Sequence, residues 1–77
     1  MGEADLAKAF GVALREQRQH RELTQEALAD LAQLNRTYVG LLERGQRQPS
    51  LETVFQLADA LDVSASRLVS RTEALLK

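Results

Sequence analysis

The stretch Thr24–Ser50, TQEALADLAQLNRTYVGLLERGQRQPS, decides the fold. It predicts two short amphipathic helices, over Gln25–Ala32 and Arg36–Arg44, joined by a tight turn. Thr24 and Asn35 stand immediately before them, and each offers a side-chain oxygen to the unpaired N–H groups of a first helical turn. Gly45 follows the second helix, where a left-handed residue ends a helix at low cost. Leu28, Ala32 and Leu34 point inward from the first helix and the turn, Val39 and Leu42 from the second. Ala29 falls where the helices cross most closely, a place that needs a small side chain. A linker of about three residues makes the pair cross steeply, as in a helix-turn-helix, whose second helix enters a DNA major groove. On spacing alone, a plain helical hairpin in a small bundle fits as well.

Outward from this stretch the pattern stays helical. No alternating run of β-branched and aromatic residues occurs, and Leu, Ala, Gln and Glu dominate. A first helix is expected over Asp5–Arg21, with Leu6, Phe10, Ala13, Leu14 and Gln17 along one face. Gly11 inside it implies close packing, because glycine costs about 1 kcal/mol relative to alanine there. Ser50 caps a fourth helix, Leu51–Leu61, with a stripe of Leu51, Val54, Leu57, Ala58 and Leu61. Pro49 precedes that cap, where its missing N–H does no harm. Ser64 caps a fifth. The expected fold class is all-α, a compact five-helix bundle built as one domain over residues 1–77.

Composition narrows the chemistry. The chain has no Cys and a single His, His20, so thiol chemistry, disulfides and the usual zinc ligand sets are excluded. Neither a metal nor a cofactor is expected. Ser50 and Ser64 read as helix caps and His20 has no group to orient it, so no catalytic constellation forms and an enzyme is not expected. No run approaches the roughly 18 apolar residues of a membrane helix. Glu3 and Asp5 sit where a secretory signal would be basic, so the expected location is the cytoplasm.

The net charge of −1 argues at first against a nucleic-acid partner, but its distribution says more. Residues 35–50 carry Arg36, Arg44 and Arg47 against Glu43, a net +2, while residues 1–34 carry −2 and residues 51–77 carry −1. The positive excess lies on the second helix of the pair and the loop after it. On charge alone these could also be ordinary surface arginines. Arg36 lies on the first turn of the second helix, where a side chain reaches deepest into the groove, and Arg pairs bidentately with guanine O6 and N7. Thr37 and Asn35 stand beside it as further candidate readers. Tyr38 either stacks on the DNA backbone or packs. Arg44 and Arg47 suit phosphates. Gly40 and Leu41 offer no hydrogen bonds, so few bases are read directly and DNA shape is expected to carry part of the specificity.

The runs LTQEALADLA, NRTYVGLLERG and QRQPSLETVFQLADALDVS resemble the phage repressor/Cro-like, or xenobiotic-response-element, helix-turn-helix family. The resemblance covers about Phe10 to Val69. It implies a five-helix fold and transcriptional regulation at a palindromic operator. It further implies that Gln25 grips a phosphate, which suits the anion-binding start of a helix, and that Arg18 and Glu43 form an ion pair tying the first helix to the end of the third. Arg36-Thr37-Tyr38 is similar to the controller proteins of restriction–modification systems. Two positions depart from the family pattern: Gln33 and Asp62 stand where glycine is usual.

A domain this small gains from oligomerisation, and one copy covers little DNA. The expected partners are therefore double-stranded DNA and a second copy, joined through Leu68, Val69, Leu75 and Leu76 of the fifth helix and the end of the fourth, although burial within the monomer explains at least Leu68. The competing readings are an antitoxin of a toxin–antitoxin pair, and a protein-interaction module of the same fold that does not bind DNA.

Overall fold

The computed structural model describes residues 1–77 and contains five helices: α1 (Glu3–His20), α2 (Gln25–Ala32), α3 (Arg36–Glu43), α4 (Leu51–Leu61) and α5 (Ala65–Leu75). The helix starts follow from local chemistry. Thr24 Oγ1 accepts from the Ala27 N–H at 3.0 Å, Ser50 Oγ from Thr53 at 3.1 Å and Ser64 Oγ from Arg67 at 3.1 Å. Asn35 Oδ1 accepts twice, from Thr37 at 2.7 Å and Tyr38 at 3.4 Å. Only α1 begins without a side-chain cap; it starts two residues before the expected position, after Gly2. Helix α3 stops one residue early, with Arg44 as its C-cap. Gly45 follows at φ 72°, and the Gln46 N–H closes the end on the Leu41 carbonyl at 2.9 Å.

Gln33 and Asp62 both adopt the left-handed conformation, at φ 59° and φ 58°. Both close their helices in the same way. The Leu34 N–H reaches the Ala29 carbonyl at 2.8 Å, and the Val63 N–H reaches Ala58 at 3.0 Å. Gln33 therefore takes up the backbone that glycine would, at a cost of about 1–2 kcal/mol. The turn is preserved and its strain is accepted.

Helix α1 lies against α3 and α5, α2 against α3 and α4, and α4 against α5. Phe10, Leu14, Leu28, Val39, Leu42, Leu57, Leu61 and Leu68 fill the centre. Because α1 is covered from two sides, its buried face is wider than the expected stripe and takes in Ala7, Ala9 and Gly11. Leu6 and Gln17 lie at its margins, half-buried. Helix α4 corrects the expected stripe: Leu51 is 71% exposed, and Thr53 takes the inward place beside Val54 and Leu57. Spacing of three and four allows either edge of a helical stripe, and the neighbours α2 and α5 select the Thr53 side.

Gly11 marks a close backbone approach of α1 to α3. A Cβ built there would stand 2.5 Å from the Leu42 carbonyl oxygen and 2.6 Å from that of Glu43. Only a glycine lets α1 come this close to the C-terminal turn of α3. A second tie joins α1 to α5: Arg71 donates to Glu16 through Nε at 2.8 Å and Nη2 at 3.0 Å. Those bonds hold the Glu16 carboxyl below its ordinary range, against the opposing effect of burial. Both side chains are nearly half exposed, so solvent screens the pair.

Candidate nucleic-acid interface

The first turn of α3 and the loop after it form an exposed polar face. Arg36 and Thr37 are exposed at the start of α3, and Arg44 and Arg47 are exposed beyond its end. Gln25, Arg36, Thr37 and Arg44 line one open cleft of about 250 Å³, which has no apolar residue in its walls. Gln25 comes from the first turn of α2 and the others from α3 and its C-cap. The two helices thus bring four polar side chains together, and Arg47 lies outside that group.

The charge of this face is sharper than the sequence count. Glu43, the one acid of residues 35–50, is turned inward with only 3% of its side chain exposed. Arg18 donates to it twice, from Nε to Oε2 at 2.6 Å and from Nη2 to Oε1 at 3.0 Å. Its Nη1 donates to the Leu23 carbonyl at 2.9 Å. The hydrogen bonds to Glu43 raise Arg18 above its already high range, outweighing partial burial. Arg36, Arg44 and Arg47 form no ion pair, since the three salt bridges use Arg18, Arg21 and Arg71. The outer face therefore presents three unneutralised guanidinium groups, with its carboxylate cancelled from behind.

Glu43 also orients Gln25, whose Nε2 donates to Glu43 Oε1 at 3.0 Å. Arg18, Glu43 and Gln25 form one chain of hydrogen bonds linking α1, α3 and α2. The resemblance implies the Arg18–Glu43 pair but gives no sign of the bond to Gln25, whose expected role is at a phosphate.

Two of the candidate readers are committed to the fold. The Oδ1 of Asn35 is occupied by the cap, leaving only its amide NH₂ for another partner. Tyr38 is half-buried and packs against the core, which accounts for its ring. Leu41 is also half-buried. The expected interface residues of α5 divide. Leu68 is fully buried inside the monomer and cannot meet a partner, which corrects that expectation. Its position faces α1 and α4 together, so the bundle itself uses it. Val69 is 51% exposed, and Leu75 and Leu76 are half-buried beside Ala9 and Val12 of α1. On α4, Leu51 and Phe55, one turn apart, are more exposed than these, at 71% and 59%. Leu51 belongs to the expected inward stripe of α4, whereas Phe55 has no expected role.

Comparison with known proteins places the chain. A helix-turn-helix family model, HTH_3, matches residues 14–68, from the middle of α1 to the start of α5. The chain belongs to that helix-turn-helix family. It is 37% identical over 67 residues to the control protein C.SmaI of Serratia marcescens, covering 87% of this chain and 80% of that one. It is 36% identical over 69 residues to y4dJ, an uncharacterized HTH-type transcriptional regulator of Sinorhizobium fredii, covering 90% of each. Among solved structures it resembles the restriction–modification controller protein C.AhdI of Aeromonas hydrophila, at 48% identity and a TM-score of 0.79. That match spans 80% of this chain and 94% of the controller. The matched region contains all of α2, α3 and α4, and with them the polar cleft and the Glu43 network. No helix is long and apolar enough to cross a membrane, and no cluster of three His, Cys, Asp or Glu is present.

Proposed function

We propose that this chain is a transcriptional regulator that binds an inverted-repeat operator as a homodimer, with α3 lying in the major groove. In this reading Arg36 and Thr37 face base edges, and Gln25, Arg44 and Arg47 grip phosphates on either side. One observation carries it: the three arginines of α3 and its loop are unpaired, while Glu43 is buried and neutralised by Arg18. The likeness to C.AhdI and C.SmaI, together with Arg36-Thr37-Tyr38, supports a controller of the restriction–modification type acting in the cytoplasm.

Arg36→Ala tests the reading. On operator DNA obtained by selection, the variant is expected to lose about 1–3 kcal/mol of discrimination at one base pair per half-site. Its binding to unrelated DNA should weaken far less. Unchanged sequence preference would remove Arg36 from the readout and leave it a phosphate ligand.

The dimer follows from surface. Half-sites lie about 34 Å apart, one helical turn, and two linked copies are needed to engage both. With Leu68 internal, the exposed Leu51 and Phe55 of α4 and Val69 of α5 supply the apolar contact, together with the half-buried Leu75 and Leu76 at the end of α5. Sedimentation equilibrium at tens of micromolar is expected to show a dimer. A monomer at that concentration would contradict this interface.

A further inference from the structure

Gly40 stands in the middle of α3, on the reading helix, where a glycine has neither a side chain to offer DNA nor a good helix propensity. It is nevertheless buried. Its cover comes from the polar side chains of the cleft. A Cβ at this position would lie 3.2 Å from Arg44 Nη1, 3.9 Å from Arg44 Cζ and 3.6 Å from Gln25 Oε1. The Arg44 guanidinium is therefore folded back along α3, one turn toward its N-terminus, and rests on the bare backbone of Gly40. Gln25 reaches the same spot from α2, with its amide turned by the bond to Glu43. Glycine serves where another group must approach the backbone closely, and here that group is a side chain of the same helix.

We propose that Gly40 is a positioning residue for DNA binding: its missing side chain seats the Arg44 guanidinium beside Gln25 Oε1, so that one phosphate of the DNA backbone accepts from Arg44 and from the second N–H of Gln25 Nε2, the one not given to Glu43. This rests on the DNA-binding reading above. A methyl group at position 40 would stand 3.2 Å from Arg44 Nη1, so the guanidinium must give by a few tenths of an ångström, and a longer side chain takes its place. On the loop side Arg44 Nε already lies 3.4 Å from Gln46 Oε1. Arg44 then leaves its seat beside Gln25, and the phosphate loses a charge-assisted hydrogen bond. The contact carries no sequence information, so its loss weakens all duplexes alike.

The test uses Gly40→Ala and the bulkier Gly40→Leu, each in the wild-type and Arg44→Ala backgrounds. Both replacements are better helix formers than glycine, so the melting temperature should hold or rise. In the wild-type background, affinity for operator and for unrelated duplex should fall together, by about threefold for Ala and about tenfold for Leu. The slope of log affinity against log salt should drop by about one. In the Arg44→Ala background each replacement should change affinity by less than about twofold, the signature of two residues acting as a unit. Equal losses in both backgrounds would mean that position 40 acts on DNA by some other route, and would overturn the proposal. So would unchanged affinity of both variants, or a melting temperature that falls in step with binding. If the unsubstituted protein shows no salt-dependent DNA binding, the function proposed above fails, and this inference with it.

Discussion

Replacing Glu43 by alanine is expected to destabilise the protein by about 3 kcal/mol, the lower end of the range for stranding one member of a buried ion pair. Its carboxylate accepts from Arg18 twice and from Gln25 once, with 3% of its side chain in contact with solvent. Removing it leaves a guanidinium that is 13% exposed without its counter-charge. The loss is held to the lower end because Arg18 keeps its bond to the Leu23 carbonyl. Urea denaturation should show a lower midpoint with an unchanged slope. Glu43→Gln should recover part of the loss, since the amide oxygen still accepts from Arg18. DNA binding should also weaken beyond the effect on folding, because Gln25 loses the bond that orients it. A loss below about 1 kcal/mol would class the pair with solvent-exposed bridges.

Gly11→Ala is expected to be the second most damaging change, at about 2 kcal/mol. Alanine gains about 1 kcal/mol of helix propensity over glycine, so on α1 alone the substitution would stabilise. Its methyl group, however, meets two backbone oxygens, of Leu42 and Glu43, at 2.5 and 2.6 Å. No flexible side chain can yield there, and α1 and α3 must part. Overpacking of this kind costs about 1–3 kcal/mol, at times more. The direction of the result decides the matter. A stabilised Gly11→Ala protein would show that α1 and α3 are not in this contact. A destabilised one also moves the end of α3, so operator affinity should fall with it, whereas Gly40→Ala should lower affinity without lowering stability.

These two changes show which parts of the structure were readable from sequence. Thr24, Asn35, Ser50 and Ser64 announced the helix starts because a cap is a contact between residues two or three positions apart. Gly45 announced an end for the same reason. The inner faces of α2 and α3 were equally legible, since helical period fixes which residues lie together. Leu51 was not. Period names a stripe but leaves its edges to whichever helices pack beside it, so Leu51 fell outside. Gln33 and Asp62 show the converse: the departures from glycine changed the residues and left the turns intact.

The candidate site was legible as a set of residues and less so as an arrangement. Arg36, Thr37, Arg44 and Gln25 do share one cleft. Local sequence could not tell that Asn35 is occupied by its cap, that Tyr38 packs inward, or that Glu43 turns away from the surface it was counted on. Gly40 had no visible role, because its use depends on a side chain folding back over it and another arriving from α2. Each of these is a contact through space whose partners the chain order does not bring together.

The central claim is that DNA meets the start of α2, the start of α3 and the loop after it. Amide chemical-shift mapping on the labelled protein, titrated with a selected operator duplex, tests it most directly. Perturbations concentrated at Gln25, Arg36, Thr37, Arg44 and Arg47, and fading as salt is raised, are the expected result. Perturbations centred instead on Leu51, Phe55 and Val69, or none at any salt concentration, would contradict it.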